Sequence, residues 1–328
     1  MSTYEQWQDS NNRYLSTALA DLRARLERMA DDGTRAAATP PAAAPPAAPQ
    51  KKSWRPGLFR ARSEATGSAA PPDATTPAVT TPASTPASGE PPHEDTEAGD
   101  VPALELLARR LGLSNFERQV LLLCAAVEFD TRIGPLCARA QHDPSRPFPT
   151  FALAMSAFED AAWDAMSPER PLRYWRLIEI NQPGTQPLIG SALKADERIV
   201  NYLKGANYLD DRMAPMLEAA GSIDQALPPS QAQVATAIAH HLQLDAGSRP
   251  IPLVQLLGRD GASKLAIAQN VAAALGLNLY RINAEALPAT LADQETFLRL
   301  WQRETALLRL ALYIDAAEID RSSPQGAS

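Results

Sequence analysis

Residues 172–180 read Leu172-Arg173-Tyr174-Trp175-Arg176-Leu177-Ile178-Glu179-Ile180, followed by Asn181-Gln182-Pro183-Gly184-Thr185-Gln186 and then by Leu188-Ile189-Gly190-Ser191-Ala192-Leu193. The first block mixes aromatic and β-branched residues at strand-like spacing, which predicts a strand over 172–180. The middle block concentrates Asn, Pro and Gly and reads as a turn. The third block predicts a returning strand over 188–193.

Upstream the pattern is helical, with helices predicted over 103–111, 115–128 and 131–140 and further ones over 150–158 and 161–166. Ser114 followed three residues on by Glu117 is a capping box for the second helix. Asp130 is placed to cap the third. Downstream of the ribbon a helix fits 196–204. Helices, a two-stranded ribbon and a closing helix make a winged-helix arrangement, assigned to residues 100–225.

A winged helix that reads DNA needs cations and amides on its recognition helix. The candidate segment here, 150–166, holds Glu159, Asp160 and Asp164 and no Lys or Arg, and the turn at 181–186 is uncharged. Residues 101–225 carry thirteen Lys/Arg against sixteen Asp/Glu. Phosphates are repelled by such a surface, so the expected partner is protein and not DNA.

Ahead of this segment lies a predicted amphipathic helix within residues 1–30, with Leu15, Leu19, Leu22, Leu26 and Met29 spaced by fours and threes. That seam suits a short coiled coil with a partner, or docking onto the chain's own domain. Residues 31–99 are rich in Ala, Pro, Thr and Ser and predict a disordered linker. Within it Lys51-Lys52-Ser53-Trp54-Arg55-Pro56-Gly57-Leu58-Phe59-Arg60-Ala61-Arg62 collects five cations and three large apolar residues, a candidate docking motif for an acidic surface.

The last segment, 226–328, alternates strands and helices, as a parallel α/β sheet does. Ser230 is placed to cap a helix running to Leu242. A strand is predicted over 252–257, a helix over 264–275, a strand over 278–282, a helix over 292–307 and a strand over 308–314. Between the first strand and its helix stands Gly258-Arg259-Asp260-Gly261-Ala262-Ser263-Lys264-Leu265. This approaches the phosphate-cradling pattern Gly-x-x-x-x-Gly-Lys-Ser/Thr. The predicted nucleotide-binding residues are Gly258, Gly261, Ala262, Ser263, Lys264 and Leu265. Lys264 keeps the phosphate-binding charge. Ser263 replaces the second Gly, and Leu265 replaces the hydroxyl that ligates Mg2+. Asp315, ending an apolar strand, is the candidate metal ligand. Ala316 stands where a water-orienting acid is common, and Glu318 is a weak substitute. Phosphoryl transfer depends on positioning and charge stabilisation, so hydrolysis is expected to be impaired and no catalytic residue is assigned.

The whole chain has 328 residues and a net charge of −7. Cys124 and Cys137 stand thirteen apart without a nearby Cys/His cluster, which supports neither a disulfide framework nor a zinc site. Residues 1–6 lack the basic and apolar regions of a secretory signal, and no apolar run approaches the roughly 20 residues needed to span a bilayer. A cytoplasmic protein without membrane contact is expected.

These pieces together resemble the AAA+ ATPases encoded with bacterial contractile injection systems. The resemblance is carried by Asn12-Arg13-Tyr14-Leu15, by Leu22-Arg23-Ala24-Arg25-Leu26-Glu27, by Leu113-Ser114-Asn115-Phe116-Glu117-Arg118 through Glu128-Phe129-Asp130, by Arg170-Pro171-Leu172, and by the glycine turn and Asp315 strand. It covers every segment except the linker. It implies a winged-helix adaptor followed by an AAA+ P-loop module, with ATP and Mg2+ as ligands and injection-system proteins as partners. The family's sensor strand, arginine finger and helical lid have no counterpart, so the module is expected to be truncated. A homo-oligomer is expected only where the missing half is supplied. The predicted fold class is an α+β winged-helix domain followed by an incomplete α/β P-loop domain. The competing expectation is a non-enzymatic interaction adaptor with a vestigial P-loop.

Overall fold

A computed structural model describes residues 3–38, 101–221, 226–244 and 253–316. The predicted linker after residue 38 with its basic island, Glu318 and the polar tail all lie outside the described residues.

Helix α1 runs from Thr3 to Ala38, so residues 31–38, assigned to the linker from sequence, are helical. It lies on its own chain. Leu15, Leu22 and Leu26 are buried, and Leu22 and Leu26 belong to the main core. Polar side chains fix the helix's rotation. Asn11 Nδ2 donates to the Leu203 carbonyl at 2.9 Å, and Asn11 Oδ1 accepts from the Ala103 N–H at 2.9 Å. The Tyr14 hydroxyl donates to Glu105 at 2.6 Å. Trp7 packs on Gly205, where a Cβ would stand 3.2 Å from the indole and φ is +91°, so two constraints select glycine there.

Helices α2 (Ala103–Leu111), α3 (Asn115–Phe129), α4 (Ile133–Ala140) and α5 (Phe151–Ala157) follow. The capping box at α3 forms as the sequence predicts, with Ser114 and Glu117 exchanging hydrogen bonds of 3.2 and 2.8 Å. Glu117 is fully buried and also accepts from Arg170 at 3.0 Å, so the cap doubles as a cross-link to the chain just ahead of Pro171. Asp130 does not cap α4, whose N-cap is Arg132. Its carboxylate instead accepts from the Arg132 N–H and guanidinium in a local turn.

The ribbon is shorter than expected. Pro171 starts a one-turn helix, α6 (Pro171–Tyr174), because proline is pre-set for a first helical position. Strand β1 is therefore confined to Ile178–Asn181. Residues Leu188–Gly190 form a 3-10 turn, and β2 occupies Ala192–Ala195, antiparallel to β1 with Ile178 opposite Ala195. Helix α7 (Glu197–Leu203) closes the unit. Of the two helices expected over 150–158 and 161–166, the first is α5 and the second is only a single 3-10 turn. After α5 the chain loops and resumes as a 3-10 turn, Trp163–Met166. One continuous core unites these elements around Phe116, Leu121, Phe151, Leu172 and Ile199, each at most 1% exposed.

A second sheet has the order β3–β4–β5. Strands β4 (Asn278–Asn283) and β5 (Leu310–Asp315) are parallel, with Asn278 opposite Leu310 and Asn283 opposite Asp315. Helix α10 (Leu291–Leu307) makes the crossover that a parallel pair requires. The two-residue β3 (Glu218–Ala219) pairs antiparallel with the outer edge of β4. Helix α8 spans Pro229–Leu244, beginning ahead of the expected Ser230 cap. Helix α9 (Gly261–Ala274) packs on α8, β4 and β5. The strand expected over 252–257 is absent from residues 253–257, which form neither helix nor strand. Leu253 and Leu257 are 91% and 83% exposed. An apolar run becomes a strand only beside a hydrogen-bonding neighbour, and none of the described strands flanks this one.

Candidate functional site

The glycine turn sits at the N-terminus of α9. Gly258 holds φ +152°, a conformation L side chains avoid, with open space around its Cβ position; the demand is for backbone freedom alone. Gly261 is the first residue of α9. The first N–H groups of a helix lack intrahelical partners and attract anions. Here an internal anion already holds two of them. Asp260 Oδ1 accepts from the Ala262 N–H at 3.1 Å and the Ser263 N–H at 3.3 Å. Ser263 Oγ donates to Asp260 Oδ2 at 2.5 Å and accepts from Gln231 Nε2 of α8 at 3.0 Å. Hydrogen bonds from the Ser263 side chain and N–H, then from Ala262, together with the Lys264 charge, outweigh desolvation and lower the Asp260 carboxyl's pKa. It stays ionised. Lys264 and Leu265 are half-buried within the first turn of α9.

Six of the predicted site residues are thus brought together at one helix end. Asp315 is on another element, at the end of β5, where its carboxylate pairs with Arg281 of β4 at 2.9 Å. The chemistry at the helix end fits an anion, given its N–H donors and Lys264, once Asp260 yields. It does not fit Mg2+. Leu265 offers no oxygen, Asp315 is engaged by a cation, and among the described residues no three His, Cys, Asp or Glu are grouped to hold a metal. Cys124 and Cys137 are buried free thiols; burial raises both pKa values, that of Cys137 to about 12, and makes them unreactive.

A second constellation was not foreseen from sequence. Arg303 and Glu304 of α10 are fully buried. Arg303 donates to Asp196 at 3.4 Å, to the Arg176 carbonyl at 3.2 Å, and to Asp210. Arg198 meets Glu304 at 2.9 Å, and Arg212 bridges Asp196 and Asp210 at 2.8 and 2.6 Å. Three cations balance three anions. Burial drives the Asp210 carboxyl up, but hydrogen bonds from Arg212 and the charges of Arg212 and Arg303 prevail and hold it at about 2. For Glu304 burial prevails over the same kind of partners, and its carboxyl is raised. The network fastens α10, and through it β5, to the winged-helix unit. Its members are separated by up to about a hundred residues, so no local pattern announces it.

A family model described as "Winged helix domain, variant" matches residues 10–217, from within α1 to the start of β3. No curated protein and no solved structure matches the chain.

Proposed function

The chain belongs to the variant winged-helix domain family, and from that premise we propose that it is an AAA+-type adaptor. Its winged helix docks protein, and its glycine turn binds ATP weakly without efficient hydrolysis. The observation that carries this reading is the order of the C-terminal elements. A glycine-requiring turn with Lys264 opens α9, and α9 packs on a parallel strand pair that ends in Asp315. That order also motivates the proposed association with a contractile injection system, whose AAA+ ATPases the sequence resembles. The adaptor surface is read as protein-directed because the segment in the recognition-helix position is acidic. The chain's residues bind and orient the phosphates through N–H groups and Lys264, and Asp260 must swing away for them to do so.

The Asp260 cap favours a second reading, a pure interaction adaptor in which the turn is vestigial. Calorimetric titration with ATP separates the two. Asn at position 260 keeps a capping side chain and removes the charge. The AAA+ reading predicts weak binding by the native chain, several-fold tighter binding by Asp260→Asn, and loss of binding in Lys264→Ala. No binding by either the native chain or Asp260→Asn would establish the vestigial turn.

A further inference from the structure

We propose that the surface centred on Trp163 is the docking face of the winged-helix unit, and that its occupant is a protein segment presenting Arg or Lys around an apolar residue. The proposal deepens the adaptor reading above and rests on it. Trp163 is 64% exposed, more than any other large aromatic among the described residues. This exposure is held in place by its surroundings. Ala165 and Met166, just beyond it, are buried, and Arg173 Nη1 donates to the Met166 carbonyl at 2.7 Å. On the other side Phe158 is sunk in the core beneath the Arg25 guanidinium, and Arg25 ties down the Ala157 carbonyl at 2.8 Å. Asn115 fixes Asp160 at 2.9 Å. The loop is anchored at both ends and lifts the indole outward, so little conformational freedom remains to be lost when a partner covers it. Trp is one of the residue types enriched where a few side chains dominate an interface.

The rim fixes the partner's chemistry. Residues 159–169 include Glu159, Asp160, Asp164 and Glu169, all exposed, and no Lys or Arg. Asp164 is already paired at 3.4 Å with Arg170, which also donates to Glu117. Arg25 is committed to Ala157 and Arg173 to Met166, so Glu159, Asp160 and Glu169 are the carboxylates that face a partner. A guanidinium or ammonium on the partner gains both from these carboxylates and from the face of the indole. A second copy placed on this face by two-fold symmetry would set acid against acid, and phosphate-bearing partners are repelled in the same way.

The test uses the full chain and, as probe, a synthetic twelve-residue peptide with six Arg around two central Leu. Calorimetry at low salt is expected to show binding that Trp163→Ala weakens about tenfold or more and that Glu159→Gln with Asp160→Asn weakens further. Trp163→Ala leaves the charge unchanged, so a loss of that size cannot come from general attraction of a cationic peptide to an anionic protein. Its unfolding midpoint, expected unchanged, checks the fold. Equal affinity of native chain and Trp163→Ala overturns the patch. If changes at Gln182 and Gln186 of the wing abolish binding instead, the adaptor reading survives with a different face. Absence of binding by the native chain overturns both the patch and its partner chemistry, and leaves the ATP titration as the separate test of the AAA+ reading.

Discussion

The winged-helix unit and the glycine-turn segment are built from similar raw material with opposite results. In the first, apolar runs find neighbours: Leu26, Phe116, Phe151 and Ile199 are essentially inaccessible, and even charged side chains are enclosed and paired. In the second, Pro252-Leu253-Val254-Gln255-Leu256-Leu257 is as apolar as any strand of the molecule, yet Leu253 and Leu257 face solvent. Apolar sequence supplies the driving force for burial, but only a neighbouring element supplies the place. Where the neighbour is present the structure tolerates a buried ion network; where it is not, a single aspartate satisfies the helix end.

The largest expected effect lies in that network. Arg303→Ala leaves Asp196, Asp210 and Glu304 buried around a missing cation and is expected to cost about 3–5 kcal/mol in urea unfolding. A loss below about 1 kcal/mol would mean that α10 is not held by these ions.

Next comes a matched pair of leucines. Leu26→Ala removes a fully buried side chain from the junction of α1 with the core and is expected to cost about 2–4 kcal/mol. Leu257→Ala, at an exposed position, is expected to change stability by less than about 0.5 kcal/mol. Equal costs would erase the contrast between the two regions.

The third effect is a pH dependence. Asp210 titrates near 2 in the folded chain, against about 3.9 for a free Asp. A depressed carboxylate contributes stability that is fully present above about pH 4 and is lost as pH falls through 2. The difference amounts to at most about 3 kcal/mol. Glu304, raised by burial, acts in the opposite sense as pH rises, so the comparison is made against Asp210→Asn. The variant should show a flatter stability profile between pH 4 and 2, and identical slopes would remove Asp210 from the account. The smallest effect is Gly258→Ala, expected to cost no more than about 1 kcal/mol, because the strained φ sits in a segment free to relax.

Much of the winged helix is legible in the sequence because its signals are local. Ala103–Leu111 follows from apolar spacing, and α3 from Ser114 and Glu117. Strands β4 and β5 and helix α10 emerge within a residue or two of the pattern. The misreadings have two causes, one local and one not. Tyr174 and Trp175 suggest a strand by type, but Pro171 commits the preceding turn to helix. The Leu253–Leu257 run has strand composition without a strand partner. At the glycine turn the spacing of Gly258 and Lys264 is visible, and so is the charge of Asp260. What cannot be read is that Asp260 folds back onto the first N–H donors of α9, with Gln231 brought in from a separate helix. The Arg303 network is hidden for the same reason, since its partners meet only in three dimensions.

The contrast between the two regions is tested most directly by native-state hydrogen exchange on the full chain, with and without ATP. Amides of α3 and α7 are expected to exchange only through global unfolding. Those of residues 253–257 should exchange nearly unprotected, and those of residues 261–265 should gain protection when ATP is added. Protection of 253–257 equal to that of α3 would contradict the account, because it would place this run in a sheet like any other strand.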